Sequence, residues 1–194
     1  DSLYVILSFS PPGRNQTHMK LPTKLLQNCW FLAGPTAVGK SDLSLQLAER
    51  LDAEILSLDS MAIYRGMDIG TAKPSAEDQN RIPHHLIDLI APWEEYTVAD
   101  YLEAAHDCCS EILARNRTPL FVGGTGFYLR SLLRGIFKGP PADSSVREQL
   151  EIRYNSEGPE FLAAELTAID PIAAKRIHPN DKRRLVRALE VHQI

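Results

Sequence analysis

The stretch Gly34-Pro35-Thr36-Ala37-Val38-Gly39-Lys40-Ser41 constrains this chain more than any other. Two glycines have four residues between them, and the second is followed directly by Lys and Ser. The apolar run Cys29-Trp30-Phe31-Leu32-Ala33 precede them, as a buried strand requires. Behind them Leu43, Leu47 and Leu51 recur every fourth residue, giving a helix one apolar stripe. A strand therefore enters this loop and a helix leaves it. Glycines let successive backbone N–H groups turn inward around an anion. The helix aims its positive N-terminal end at the same point. Lys40 adds a cation, and the Ser41 hydroxyl is a ligand for Mg2+, directly or through water. Residues 34–41 are thus candidate ligands for a phosphate, diphosphate or nucleotide.

Strand and helix signals go on alternating. Residues 53–60 and 118–124 read as strands, and 84–90 as a further one. Residues 97–116 read as a long helix opened by Thr97 and Asp100, a capping box with Asp in place of Glu. Residues 125–136 read as the next helix. This alternation around the glycine-rich loop predicts a P-loop NTPase-like α/β fold, with a parallel sheet and helices on both faces. After Lys138-Gly-Pro-Pro-Ala-Asp143 only helical signals remain, interrupted near Gly158, Asp170-Pro171 and His178-Pro179. The expected organisation is an extension over 1–24, flexible or non-native in part, a core over 25–138 and a helical insertion over 139–194. Residues 1–18 are expected to be dispensable, because Met19 opens a more natural start. The chain is expected to be a fragment, since its last helical pattern ends without a capping Gly or Pro.

Composition excludes several classes. With a net charge of −4, any contact with nucleic acid must come from a local basic patch. Such a patch exists between Ile172 and Ala188, where Lys175, Arg176, Lys182, Arg183, Arg184 and Arg187 face Asp181 alone. It also reads as a solvated helix face with one core-facing arginine. No apolar run is long enough to span a membrane. The three cysteines, Cys29, Cys108 and Cys109, form no disulfide framework and read as reduced thiols. Trp30 and Phe31 read as core. His84, His85, His106 and His178 show neither metal spacing nor an obvious partner, and read as structural or surface residues.

A phosphate loop does not by itself mean ATP hydrolysis, which also needs a carboxylate for Mg2+ and a residue to position water. The strand 118–124 ends in glycines; the carboxylate at a strand end is Asp59. Ligands of open α/β sheets sit outside that edge. There Asp59 suits a general base or a metal ligand. Taken alone, it is more simply read as a turn or capping residue.

Four segments in order, Gly34–Ser41, Asp59–Pro74, Val122–Leu133 and Asn180–Val191, resemble the successive motifs of the tRNA dimethylallyltransferase (tRNA isopentenyltransferase) family. The resemblance covers about residues 25 to 194, and Asp59–Pro74 is its most specific part. It implies a kinase-like core and transfer of a dimethylallyl group from dimethylallyl diphosphate to the exocyclic amine of the adenosine beside a tRNA anticodon. It further implies a cytoplasmic monomer, assisted by Mg2+, that binds the tRNA anticodon stem-loop and no membrane. By the same resemblance the loop holds the prenyl diphosphate rather than ATP, with Lys40 and Thr36 acting on the leaving group and Asp59 as base. Asp59, Ser60, Met61, Ala62, Thr125, Arg147, Arg183, Arg184, Leu185, Val186 and Arg187 correspond to tRNA-contacting positions. The family carries a later Gly-Tyr-Arg segment whose Arg helps bind the diphosphate, and this chain ends before one. Three other readings stand beside this one: prenyl transfer to a free adenine nucleotide, a small-molecule kinase, and a non-catalytic RNA- or nucleotide-binding module.

Overall fold

In chain order, β1 (Val5–Leu7), β2 (His18–Met19) and α1 (Thr23–Leu26) lead to β3 (Trp30–Ala33), the strand before the glycine-rich loop. There follow α2 (Lys40–Leu51), β4 (Ala53–Leu58), α3 (Ala76–Arg81), β5 (His84–His85), α4 (Val98–Ala114), β6 (Thr118–Gly123), α5 (Gly126–Arg134) and β7 (Ile136–Phe137). The computed structural model describes residues 5–7, 18–19, 21–35, 38–71, 73–137 and 139–194. The chain divides into two compact units, Asp1–Phe137 and Lys138–Ile194.

The main sheet of the first unit has the order β1-β3-β6-β4-β5. The four strands β3, β6, β4 and β5 are parallel. β1, within the stretch read as an extension, pairs antiparallel with β3, Val5 opposite Ala33. β2 and β7 form a separate antiparallel pair.

Strand periodicity builds the two faces. Phe31, Leu56, Leu58 and Phe121 point to one side, where Tyr101, Leu102, Ala105, Cys109 and Ile112 of α4 and Leu132 of α5 cover them. Leu32, Ile55 and Leu120 point to the other, against Leu45 and Ala48 of α2 and Ile82. Helices thus lie on both faces, as the alternation predicts. The register of α2 differs from the expected Leu43–Leu47–Leu51 stripe. Ser44, Leu45 and Ala48 are the buried residues, and the three leucines flank them. Small Ser44 and Ala48 let the helix lie close to the sheet.

The strand expected over 84–90 is shorter than its apolar pattern. Only His84 and His85 pair with β4. Leu86 and Asp88 then take positive φ (60° and 53°), which breaks the ladder. The chain instead bonds to the turn after β4: Leu89 N–H donates to Ile63 O (2.7 Å) and Arg65 N–H to Ile90 O (2.8 Å). The Thr97–Asp100 capping box forms as expected, with Thr97 N–H donating to Asp100 Oδ2 at 2.7 Å. A second box, Ser75–Asp78, opens α3, a helix the sequence reading lacks.

The cysteines are free, and the buried Sγ atoms of Cys29 and Cys109 lie 3.8 Å apart. The expectation that the histidines lack an obvious partner is corrected at His84 (Ile82 O, 2.7 Å), His106 (Asp107 Oδ1, 3.1 Å), His178 (which accepts from Asn180 N–H, 3.2 Å) and above all at His85. Its Nε2 lies 2.6 Å from Glu54 Oε2, and Arg115 Nη2 donates to the same oxygen at 2.8 Å. Glu54 opens β4 at the sheet edge opposite the glycine-rich loop, so this cluster is structural.

In the second unit α6 (Ser144–Glu157), α7 (Pro159–Ile169), α8 (Pro171–Ala174) and α9 (Lys182–Gln193) enclose Leu150, Leu162, Leu166, Leu185, Val186 and Leu189. The breaks follow the residues expected to make them. Gly158, at φ 93°, separates α6 from α7. Asp170 and Asp181 cap α8 and α9 through their carboxylates.

Glu54 yields a pH prediction. Burial raises its pKa, but hydrogen bonds and charge from Arg115 and His85 outweigh burial and hold it below the ordinary 4.5. A depressed folded-state pKa contributes stability above the unfolded value that is lost as pH falls through the folded value. Glu54→Gln should cost about 2 kcal/mol at pH 7. In urea titrations, that gap between the two proteins should shrink progressively as the pH is lowered below 4.5.

Candidate active site

The glycine-rich loop leaves β3 and turns into α2 at Gly39, whose φ of 80° is left-handed and free of strain only for glycine. Lys40 opens α2, and its ammonium reaches back to donate to the Pro35 carbonyl. Thr36 and Ala37 lie outside the described residues. Burial pushes the Lys40 pKa below the usual lysine range, and the negative charge of Asp59 acts against that shift. The cation of the loop and the carboxylate at the end of β4 thus act on one another.

Asp59 follows β4 and makes a tight turn. Its N–H donates to Ser57 Oγ (3.2 Å) and its Oδ1 accepts from Met61 N–H (2.8 Å). The turn-residue reading of Asp59 is therefore correct, and it fixes one carboxylate oxygen while leaving Oδ2 for a ligand. β6 ends beside this turn. A Cβ on Gly123 would lie 2.5 Å from Leu58 O, so only glycine permits this approach. Beyond the ladder, Gly34 N–H donates to Gly123 O (3.3 Å) and Thr125 N–H to Leu58 O (2.9 Å). Thr125 Oγ1 also accepts from Ser60 N–H at 3.1 Å. Backbone bonds thus fasten the phosphate loop, the Asp59 turn and the Gly123–Thr125 turn together.

A cleft of about 380 Å3 opens at this junction, lined by Gly39, Lys40, Ser41, Ser57, Asp59, Gly70, Thr71 and Val122 to Gly124. Beside it, a largely apolar cavity of about 210 Å3 is lined by Ala33, Gly34, Pro35, Leu58, Gly123 to Gly126 and Leu129. One polar and one apolar compartment meet at the same loop, which suits a ligand with an anionic head and a hydrocarbon tail. Among the described residues, no group of three or more His, Cys, Asp or Glu gathers as a metal site. The hydroxyl of Ser41 and the carboxylate of Asp59, however, are hard oxygen donors on one cleft. That set suits Mg2+, which commonly takes one or two protein oxygens together with substrate phosphates.

The structure brings Gly39, Lys40, Ser41 and Asp59 together in one cleft, with Ser60 and Thr125 hydrogen-bonded beside it. Met61 is 43% exposed. Ala62 is buried, so its expected RNA contact is corrected for the side chain. Ser57, Gly70 and Thr71 were not singled out from the sequence, though all three lie in or beside its most specific segment.

In the second unit, Leu185 and Val186 are 1% and 3% exposed and fill the helical core, which corrects their expected contact with RNA. The apolar spacing of α9 carries that signal. Arg147 and Arg187 both donate to the fully buried Glu190, at 3.2 and 2.8 Å, and Arg187 also to Pro140 O at 2.7 Å. These bonds hold α6 and α9 together and occupy much of each guanidinium. Arg184 pairs loosely with Asp181 (3.4 Å), and Arg183 is exposed. No helix of the described residues is long and apolar enough to cross a membrane.

This fold and site geometry define a P-loop-type α/β protein. The IPP transferase family model matches residues 62–194, well over half of the chain, and the chain belongs to that family. A second model, isopentenyl transferase, matches residues 27–88. The chain is 50% identical over 171 residues to the tRNA dimethylallyltransferase of Desulfotalea psychrophila, covering 88% of this chain and 54% of that one. It is 50% identical over 174 residues to its namesake in Rhodopirellula baltica, covering 86% and 52%. The chain thus spans about half the length of these curated relatives. The solved full-length tRNA isopentenylpyrophosphate transferase of Bacillus halodurans is 48% identical at a TM-score of 0.54, over 83% of this chain and 54% of that one. A eukaryotic dimethylallyltransferase solved acting on tRNA is 33% identical at a TM-score of 0.70, over 82% and 40%.

Replacing the loop cation tests the anion site. Lys40→Met should weaken binding of inorganic diphosphate about a hundredfold in calorimetric titrations, because an ammonium ion pair and its hydrogen bonds are lost. An affinity within about twofold of the unaltered protein would remove Lys40 from the site.

Proposed function

We propose that this protein transfers a dimethylallyl group from dimethylallyl diphosphate to the exocyclic amine of the adenosine next to a tRNA anticodon. One observation carries the reading: an anion-binding loop and a carboxylate share one cleft in a member of the IPP transferase family. The diphosphate lies in the Gly34–Ser41 loop and the prenyl chain in the adjoining apolar cavity. The adenine amine attacks the first carbon of the prenyl group as its bond to the diphosphate oxygen breaks. Asp59 accepts the proton that the amine loses. Lys40 and the loop N–H groups stabilise the charge growing on diphosphate, and Thr36 donates to the bridging oxygen. Mg2+, held by the Ser41 hydroxyl directly or through water, adds charge neutralisation when bound. No covalent enzyme intermediate is required.

The acceptor base is stacked on its neighbours, so it must flip out to reach a buried donor. Thr125 stands where it would enter. Ser60 and Met61 face the nucleic acid, and Arg183 and Arg184 hold phosphates of the anticodon stem-loop. The enzyme acts as a monomer in the cytoplasm. The match of the isopentenyl transferase model to residues 27–88 favours a second reading, transfer to a free adenine nucleotide. RNA is the better-supported acceptor, because the IPP transferase match continues through the helical unit to residue 194, and that unit carries the basic patch.

Asp59→Asn keeps the turn but removes the base. Turnover with tRNA should fall about a thousandfold, with RNA affinity changed less than about threefold. Unchanged turnover would remove the base assignment. Turnover and RNA affinity lost together would reduce Asp59 to a binding residue.

A further inference from the structure

Residues 66–71 return from the Asp59 turn to the cleft, where Gly70 and Thr71 form part of its lining. Gly66 and Gly70 have φ of 72° and 76°, and a Cβ on either would meet nothing within 4 Å. At both glycines a backbone turn, rather than packing, sets the course of the loop. Thr71 Oγ1 donates to Met67 O (2.5 Å), a bond within the loop that does not anchor it.

The anchor is Lys73. Its side chain is only 5% exposed, and its ammonium makes three hydrogen bonds. It donates to Tyr64 O (2.6 Å), Asp68 Oδ1 (2.8 Å) and Asp88 Oδ1 (2.6 Å). These partners belong to three segments: the turn after β4, the loop itself, and the bend after β5. A lysine has three ammonium protons, so its donor capacity is fully used. Burial opposes the charge, but the two carboxylates more than offset it and raise the lysine pKa. The bend that carries Asp88 is itself fixed: Arg65 donates to Asp88 O (2.9 Å) and Leu89 O (2.6 Å), and Asp88 N–H donates to Ala62 O (3.0 Å). A small cavity of about 100 Å3 places Lys73 one layer behind the cleft, since Ser41 and Ser57 line both.

We propose that Lys73 is a positioning residue, whose ammonium ties the 66–71 loop to the bend after β5 and so holds Gly70 and Thr71 at the rim of the diphosphate cleft. It sets affinity for the prenyl donor through the loop and takes no part in the bond exchange. The inference rests on the proposed reading of the cleft as a diphosphate site. Without the ammonium, Asp68 and Asp88 face one another as like charges, and the loop is pushed from the rim.

The test is Lys73→Met, which keeps the length of the side chain and removes the charge. Calorimetry with dimethylallyl diphosphate should give a Kd about tenfold higher, while RNA affinity and the turnover rate at saturating donor change less than about threefold. Amide hydrogen exchange at 66–71 should quicken in the ligand-free protein. Asp88→Asn on the Lys73→Met background should recover part of the donor affinity by removing the repulsion, which a merely structural loss would not do. If Lys73→Met does not fold, Asp68→Asn carries the same readouts, because it removes one exposed partner. Unchanged donor affinity in a variant, or affinity lost for RNA and donor alike, would overturn the proposal. No binding of dimethylallyl diphosphate by the unaltered protein would instead overturn the functional reading beneath it.

Discussion

Contact between the backbones at the ends of β4 and β6 is the constraint on which the site depends. Gly123 lies against Leu58 so closely that a Cβ would sit 2.5 Å from the Leu58 carbonyl oxygen. The two strands are thus in close contact at their last paired residues, Leu58 and Gly123. Leu58 O then accepts from Thr125 N–H, and Gly123 O from Gly34 N–H. Three loops from three neighbouring strands are joined by main-chain bonds and depend little on side-chain rotamers. Charges placed on such loops are pre-organised, and fixed charges stabilise a developing one more effectively than mobile charges do.

Electrostatics at the cleft follow from that frame. Lys40 is partly desolvated, which favours release of its proton, and Asp59 opposes the release. A diphosphate in the loop would act in the same sense as Asp59. The ammonium would then be more firmly charged in the complex than without ligand. Asp59 is held by Ser57 and Met61 in a turn that fixes its direction. Lys73, behind the cleft, supplies a buried cation of a different kind, saturated by its own partners and unavailable to a ligand. Two lysines in one half of the molecule thus differ: Lys40 lines the cleft, and Lys73 is saturated by partners behind it.

Much of this was legible in the sequence because short-range chemistry governs it. The spacing of Gly34, Gly39, Lys40 and Ser41 specifies a loop wherever it occurs, and the strand and helix around it follow from periodicity. Capping at Thr97 and the breaks near Gly158, Asp170 and His178-Pro179 were readable for the same local reason. What escaped the sequence depends on contacts between distant segments. The bend at Leu86 to Ile90 looks like strand because its residues are mostly apolar, yet its backbone pairs with residues 62–65. Leu185, Val186 and Arg187 lie in a basic, motif-like stretch, but burial turns the first two inward, and Glu190 captures Arg187 together with Arg147 of α6. The partner of Lys73 at Asp88 is 15 residues away and no periodicity announces it.

The central claim is that the loop holds a prenyl diphosphate and delivers its prenyl group to RNA. The most direct measurement supplies the protein with unmodified tRNA, Mg2+ and either dimethylallyl diphosphate or ATP, then weighs the tRNA nucleosides by mass spectrometry. The account predicts an adenosine heavier by one dimethylallyl group, formed with the prenyl donor and not with ATP. Unaltered tRNA together with a prenylated free adenine nucleotide, or a phosphorylated product formed from ATP, would contradict it.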